Sequence, residues 1–204
     1  MSAAIRVLLF LALCGGLFHC RGEQPGQGKE EIVAREISGG DTSSRTMRLD
    51  YIDLKLPERH YLVFRQELSF QDINGFIGME SEALTTTATK SGVVATGPLS
   101  LLTYEWDTER GWGDLAVALP VAAGTRLPPY VTITLPEGEA IALEWTGTYD
   151  RTTAMHLSLD QELKRRNLKP VNPSVEEYLI GPLQVSDPHE FKTRIVYAYA
   201  TPAQ

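Results

Sequence analysis

Cysteine is nearly absent from this 204-residue chain, and its two cysteines lie close together near the N-terminus. Cys14 and Cys20 both fall in or beside the first apolar segment, so the rest of the chain has no cysteine with which to form a disulfide framework. The folded part must therefore be held together by a hydrophobic core, and a metal site built on cysteine thiolates is excluded there.

Histidine is scarce as well, and the sequence lacks the common catalytic motifs. His60, His156 and His189 show no metal-ligand spacing, so we interpret them as surface or helix residues and predict neither a metal nor a cofactor. No Gly-x-Ser-x-Gly nucleophile motif is present, and the stretch GGDTSS has no lysine after it to make a phosphate loop. The sequence thus gives no support to chemistry by a nucleophile.

Positive charge is in short supply, and no basic run occurs. Arg6 and Arg21 lie in the first 22 residues, which leaves 17 basic and 26 acidic side chains in the remainder and a net charge of about -9. Because phosphate contacts dominate binding to nucleic acids, this balance predicts that nucleic acid is not a partner.

Long apolar runs are missing except at the N-terminus. One basic residue, the run VLLFLALCGGLFHC and a charged stretch follow one another there, which is the pattern of a signal peptide over residues 1–22. We expect an exported protein, periplasmic or secreted, cleaved after Gly22. The alternative is acylation of Cys20, which would make the protein a lipoprotein and the membrane a partner, although Leu13 and His19 precede the two cysteines where a lipoprotein signal prefers a small residue.

Residues 23–44 are rich in Gly, Ser, Gln and charge and have few apolar side chains. This composition is typical of a flexible linker rather than of a core element. Residues 45–204 remain, which is enough chain for one domain with a complete core.

The domain sequence repeats one pattern of elements. A strand around Tyr61, a helix after Ser69 and two strands in LSLLTYEW and DLAVALPV are followed by YVTITLPEGEAIALEW, a second helix and two further strands, SVEEYLI and FKTRIVYAY. The order strand, helix, strand, strand therefore occurs twice, about 75 to 80 residues apart. We predict an α+β fold in which two pseudo-symmetric β-α-β-β repeats form an antiparallel sheet, with two helices on one face and a ligand groove at the pseudo-twofold axis.

Local signals place the two helices. Ser69, three residues before Asp72, is the predicted N-cap of the first helix, whose apolar positions include Phe76 and Ala83. Asp150 is the predicted cap of the second helix. Its apolar side recurs at Met155, Leu159 and Leu163, and Asn167 with Pro170 ends it.

The order of these segments resembles the GyrI-like, or AraC-type effector-binding, domain. The resemblance rests on GPLSLLTYEWD, GDLAVALPV, LPEGEAIALEWTGTYDR, PSVEEYLIGP and DPHEFKTRIVYAYA and covers roughly residues 50 to 200. It implies a protein that binds a small, aromatic or cationic molecule in the groove between the repeats. The glutamate of the family's E-x-Y-L-x-x-P strand, here Glu176, would be the central acid. At Glu177 the family usually has an apolar residue that faces the helices.

Strand alternation puts Glu176 and Tyr178 on one face and Val175 and Glu177 on the other. If the first face lines the groove, a carboxylate beside aromatic rings would attract a cation by charge and by cation-π contacts. The competing interpretation is a solvated carboxylate, the commoner fate of glutamate.

Three further aromatic residues complete the predicted ligand site. Trp145 occupies a position that faces the groove in the resembling domains, although it would equally serve as a core tryptophan. Tyr104 and Trp106 form an i, i+2 pair that the repeat places opposite Tyr178, although this segment would equally serve as an edge strand. We interpret Tyr149 and Tyr197 as packing residues.

Three functions remain open at this point. The first is an exported small-molecule-binding protein. The second is a hydrolase of small electrophilic ligands, as in some relatives of the resembling family, with Glu176 as general base. The third is a tetrapyrrole binder, since haem-associated SOUL proteins share the duplicated fold, although no histidine is clearly placed to bind iron.

Overall fold

The structure is a computed structural model that describes residues 49–182 and 184–200. The predicted signal peptide over residues 1–22, with Cys14 and Cys20, and the predicted linker over residues 23–44 lie outside the described residues.

The described residues form one antiparallel sheet and two α-helices. The strands are β1 (Tyr51–Leu56), β2 (Arg59–Ser69), β3 (Ser100–Asp107), β4 (Trp112–Val121), β5 (Val131–Leu135), β6 (Gly138–Thr146), β7 (Lys169–Ile180) and β8 (Lys192–Ala200). The α-helices are α1 (Ile73–Lys90) and α2 (Thr152–Arg165), and single 3-10 turns occur at Tyr149–Arg151 and Pro188–Glu190.

The strand order confirms the duplication. The sheet runs β1-β6-β8-β7-β3-β4-β2-β5, so β2-α1-β3-β4 and β6-α2-β7-β8 occupy equivalent halves that meet where β7 pairs with β3. Leu101 of β3 is the register partner of Glu176 of β7 at this junction. The α+β fold with two repeats and two helices is therefore the one that the sequence predicts.

The sheet is strongly curled. One buried cluster contains side chains from all eight strands, among them Leu54 of β1 at one edge and Ile133 of β5 at the other. In a flat sheet of eight strands the edges would be about 34 Å apart, too far for one cluster. A short link also shows that the sheet is curled. Only two residues separate Leu56, at the end of β1, from Arg59, at the start of β2, so the link spans at most about 11 Å, although β1 and β2 are the first and seventh strands across the sheet.

The two faces of the sheet have different cores. The inner face is lined by small side chains, including Ala116, Ala118, Ala140 and Ala142, which allow the tight curl. The outer face carries the helices. There α1 packs on β2, β3 and β4, and α2 packs on β6 and β8.

The helix ends differ from the sequence-based expectation. Ser69 is the last residue of β2 and its hydroxyl binds the Asp72 carboxylate, so it does not cap α1, which begins at Ile73. Asp150 lies in a 3-10 turn, where it accepts a hydrogen bond from Thr148, and α2 begins two residues later at Thr152. In both places the side chain of the predicted cap is hydrogen-bonded to a polar neighbour instead of to the backbone amides of the helix.

The buried positions of the helices are largely as the spacing indicates. Met155, Leu159 and Leu163 all face the core from α2. In α1 the buried residues are Ile73, Phe76, Leu84 and Ala88, so Ala83 is exposed and its neighbour Leu84 takes the expected place.

No helix among residues 49–182 and 184–200 is long and apolar enough to cross a membrane.

Candidate functional site

The two adjacent glutamates of β7 have opposite surroundings. Glu176 and Tyr178 point to the outer face of the sheet. There Glu176 contacts α2, and Tyr178 packs against the hydrophobic core that surrounds α1. Val175 and Glu177 point to the inner face. Glu176 is only 7% exposed and lies at the junction of the two repeats. Its carboxylate is therefore not a solvated surface group. The expectation that position 177 faces the helices does not hold here, because Glu177 lies on the other side of the sheet.

Glu176 belongs to a chain of three hydrogen-bonded side chains. His156 Nε2 is 2.9 Å from Glu176 Oε1, and His156 Nδ1 is 2.9 Å from the Tyr197 hydroxyl. An ionised carboxylate can only accept, so the Nε2 proton is donated to Glu176. In the neutral imidazole Nδ1 then accepts from the Tyr197 hydroxyl. The helix α2 and the strands β7 and β8 each contribute one member.

Tyrosine rings surround the same carboxylate. The ring of Tyr149 meets that of Tyr178 edge-on with 5.5 Å between centroids, and it packs on Phe191 at 5.1 Å. Burial, and secondly the charge of Glu176, raises the pKa of both Tyr149 and Tyr178, for Tyr178 well above its ordinary value. Burial also raises the pKa of Tyr197. These phenols consequently remain neutral around an acid.

The partner of Glu176 sets it apart from the other buried carboxylates of the described part. Asp114 is paired with Arg65, Glu162 with Arg165 and Arg166, and Glu177 with Arg194. Glu176 is instead paired with the imidazole of His156. Arginine is always charged, whereas a histidine can also be neutral, so Glu176 lacks the fixed countercharge that the other three carboxylates have.

The structure places Trp145 in the core beneath α2. It is 6% exposed and packs with Leu143, Met155 and Leu159, and its Nε1 donates to the Thr148 carbonyl at 3.4 Å. Trp145 thus supports the helix that carries His156, in keeping with the packing interpretation of this residue.

Tyr104 and Trp106 do not form the expected pair on one face. A β-bulge between Thr103 and Glu105 interrupts the alternation of β3. Tyr104 consequently packs on the inner face, with the Arg65 guanidinium 3.6 Å from its ring centroid. Trp106 points outward, stacks on Phe70 at 4.3 Å and is 50% exposed.

Tyr104 is also not opposite Tyr178. The Tyr178 amide donates to the Leu99 carbonyl, several residues away from Tyr104 along β3. The placement derived from the internal repeat was therefore wrong, because the antiparallel register that pairs Ser100 with Glu177 places Tyr178 beside Leu99.

Tyr104 and Trp106 nevertheless share a cleft with Tyr197. The pairing of β3 with β7 ends at Thr103 and Ser174, and beyond that point the strands leave an opening of about 250 Å³. Its lining residues include Tyr104, Trp106, Asp160, Asn172, Ser174 and Tyr197. The Asn172 side chain donates to the Tyr104 carbonyl at 2.8 Å and so bridges the two strands.

Sequence reasoning missed three residues of this site, namely His156, Tyr149 and Tyr197. A signal for His156 was present, because it follows the buried Met155 directly and so lies at the border of the apolar side of α2. Tyr197 lies on β8, the strand that pairs with β7 beside Glu176.

Among residues 49–182 and 184–200, no three His, Cys, Asp or Glu side chains are grouped so that they could hold a metal ion.

Comparison with known proteins gives the fold. No protein-family model and no curated protein matches the sequence. The crystal structure of the EcmrR C-terminal domain is similar, with 17% identity, a TM-score of 0.62, and coverage of 76% of this chain and 99% of that one. SAV2435 bound to tetraphenylphosphonium is also similar, with 16% identity, a TM-score of 0.56, and coverage of 74% of this chain and 94% of that one.

A third similar structure is EcmrR in complex with DNA, with 17% identity, a TM-score of 0.64 and coverage of 78% of this chain. The match spans 60% of the EcmrR chain in that complex. The resemblance to the GyrI-like effector-binding domain is thereby confirmed at the level of the fold.

Proposed function

We propose that this protein is an exported small-molecule-binding protein and that its ligand is an aromatic or otherwise planar cation held at Glu176. The observation that carries the proposal is the burial of the Glu176 carboxylate at the junction of the repeats, among neutral tyrosines and, within the described residues, without an arginine partner. Export is proposed on the N-terminal sequence pattern alone.

Electrostatics favours a cation at this place. A buried carboxylate is costly unless an opposite charge accompanies it, and an uncharged His156 does not supply one. A ligand cation would supply that charge, and contacts with tyrosine faces would add about 0.5 to 2 kcal/mol each. A neutral or anionic ligand would gain neither contribution.

Access to Glu176 requires a side chain to move. Tyr149, on the 3-10 turn before α2, is the exposed member of the aromatic group, with its ring against Tyr178 and Phe191. We propose that the ligand enters by displacing the Tyr149 ring and replaces its contacts with Tyr178. An aromatic ligand suits this exchange, because it restores the stacking area that Tyr149 gives up.

Calorimetric titration with tetraphenylphosphonium tests the proposal. This permanent cation is bound in the structure of SAV2435, which shares the fold. We expect saturable binding, and we expect Glu176→Gln to weaken it by about 1 to 3 kcal/mol, because the substitution removes the charge and keeps the shape.

The matched control is Glu177→Gln, since Glu177 is equally buried but lies on the inner face beside Arg194. It should leave the affinity unchanged once thermal melts have verified folding. Equal losses in both variants, or none in Glu176→Gln, would overturn the proposal.

The hydrolase alternative has one observation in its favour. Glu176 is within hydrogen-bonding distance of an imidazole, and a carboxylate coupled to histidine can take a proton from water as a general base. A reactive aromatic ester or epoxide distinguishes the two functions. A hydrolase would turn it over, and Glu176→Gln would abolish the turnover while the variant still binds the compound.

A further inference from the structure

His156 occupies the position that a ligand cation would take. Its Nε2 lies 2.9 Å from Glu176 Oε1, the contact distance of a charge-assisted hydrogen bond. The imidazole belongs to α2, whereas its two partners, Glu176 and Tyr197, belong to the sheet. The pair is thus made between a helix and the strands beneath it, where a side-chain rotation on α2 is enough to break it.

The groups that face His156 determine what its protonation does. Glu176 faces it from β7 and Tyr197 faces it from β8, while Asp160 lies one helical turn further along α2. Tyr178 of β7 is hydrogen-bonded to Glu176. The tyrosines are neutral, since burial raises the pKa of both. When His156 is neutral, the site therefore carries the negative charges of the Glu176 and Asp160 carboxylates. Protonation of His156 lowers this negative charge by one unit.

We propose that His156 is the internal competitor of the cationic ligand, so that binding at Glu176 is coupled to release of a proton from His156. This inference rests on the proposed function and adds to it a regulation of the same site. Acid would close the site with the protein's own imidazolium, and neutral or alkaline conditions would make Glu176 free to accept the ligand.

The direction of the effect follows from the charges. A protonated His156 forms an ion pair with Glu176, and a cation has to displace it or expel its proton. A neutral His156 gives only a hydrogen bond, which costs less to replace. If one proton must leave His156 for each cation bound, the dissociation constant rises about tenfold for each unit by which the pH is lowered while His156 is protonated.

The first measurement uses the unmodified protein and tetraphenylphosphonium, a cation that does not itself titrate. Its dissociation constant is determined by calorimetry from pH 5.5 to 8, above the range in which carboxylic acids ordinarily titrate. Near pH 6, titrations in two buffers of different ionisation enthalpy count the protons released. We expect weaker binding at the acid end and a release approaching one proton.

The second measurement uses His156→Gln, which keeps a donor for Glu176 and an acceptor for Tyr197 but cannot be protonated. We expect its affinity to be independent of pH and, at pH 5.5, on the order of tenfold higher than that of the unmodified protein. The control is His189→Gln, in an exposed 3-10 turn, which should keep the full pH dependence.

The outcomes separate the two claims. Binding that is equally tight across the pH range, or a pH dependence that survives in His156→Gln, overturns the role of His156 and leaves the ligand site standing. Absence of binding at every pH overturns the proposed function together with this inference.

Discussion

Glu176 and Glu177 are neighbours in the chain and differ mainly in what each carboxylate meets. Glu177 is neutralised by Arg194 on the inner face, and Glu176 faces His156 and tyrosines on the outer face. One step along a strand thus separates a structural ion pair from a candidate cation site. The difference comes from the pleat, which turns successive side chains to opposite faces.

A permanent charge at position 156 should block the site at every pH. In His156→Lys the ammonium group stays protonated in the range in which histidine titrates, so it should compete with tetraphenylphosphonium for Glu176 from pH 5.5 to 8. We expect calorimetry to detect no binding, or binding weakened by at least tenfold throughout the range.

Leu157→Lys is the matched control for that variant, because residue 157 follows directly on α2 and its side chain is 57% exposed. It adds the same charge to the same helix but not beside Glu176. If both lysine variants weakened binding alike, a general effect of net charge would account for the result, and the specific role of position 156 would be refuted.

At single residues, a sequence pattern predicts the face of a strand but not the tertiary contacts around it. The alternation of β7 was enough to predict which face Glu176 and Tyr178 share. His156 was assigned to a helix and not to the site, since a helix position alone does not reveal which strand lies beneath it. The predicted position of Tyr104 was wrong because a β-bulge interrupts the alternation of β3 at this residue. Tyr104 also contacts Arg65 and Asn172, and a period-two pattern contains no information on such tertiary contacts.

Among the elements, α2 carries His156 of the proposed ligand site on one side and packs on the core of the second repeat with another. Leu159 is fully buried against β6 and β8, while Leu157 on the same helix is 57% exposed. Leu159→Ala should therefore lower the free energy of unfolding by about 2 to 5 kcal/mol, through lost burial and a residual cavity.

Leu157→Ala makes the same chemical change on the same helix and should stay within about 0.5 kcal/mol of the unmodified protein. Urea denaturation of the two variants measures the contrast. Similar losses in both would show that the side of α2 that carries Leu159 is not its buried side.

The C-terminal end of α2 is tied to the sheet by ion pairs. Glu162 binds Arg165 and Arg166, and Arg166 also binds Asp53 of β1. Hydrogen bonds from Arg165 are the main cause that lowers the pKa of Glu162 to about 2, with Arg166 adding to them and burial opposing them. A lowered pKa means that Glu162 stabilises the fold fully above the ordinary range of a glutamic acid and loses this effect as the pH falls toward 2.

Glu162→Gln should consequently lower Tm at pH 7, and the difference from the unmodified protein should narrow as the pH falls below about 4.5. Thermal melts between pH 7 and pH 3 measure it. Glu82→Gln, at an exposed position of α1, is the control and should show little difference at any pH. A difference for Glu162→Gln that widens toward acid would contradict the ion-pair account.

Element types were easier to predict from sequence than element ends. The spacing of Met155, Leu159 and Leu163 identified α2 and its buried side. The caps predicted at Ser69 and Asp150 were wrong, because these side chains are hydrogen-bonded to their polar neighbours Asp72 and Thr148 instead. Such local competition between side chains is decided by geometry that a sequence pattern does not specify.

At the scale of the whole molecule, the repeats exchange their edge strands. Strand β1 precedes the first repeat and pairs with β6 of the second, and β5 precedes the second repeat and pairs with β2 of the first. The sequence repeat predicted two equivalent halves, but this exchange was not predicted. It is a consequence of the curl, which brings the edges of the sheet close together.

A cut before the domain should leave its stability unchanged. The composition of residues 23–44 offers little apolar surface to a core, so a protein that begins at Arg45 should melt at nearly the same Tm as the chain that begins at Glu23. A large loss of Tm or of cooperativity would show that the segment packs on the domain.

Export is a property of the whole chain and has its own measurement. Cell fractionation followed by N-terminal sequencing should find a chain that starts near Glu23 outside the cytoplasm. An acylated Cys20 in the membrane fraction would support the lipoprotein alternative. An unprocessed cytosolic chain would refute export.

At a fixed aromatic shape, the charge of a ligand should determine whether it binds at Glu176. Tetraphenylphosphonium and tetraphenylborate have nearly the same shape and opposite charge, so comparing their calorimetric titrations at pH 8 isolates this factor. We expect saturable binding of the cation with an affinity about tenfold or more above that of the anion, and loss of this preference in Glu176→Gln. Equal affinity for the two ions, or a preference for the cation that survives in Glu176→Gln, would contradict it.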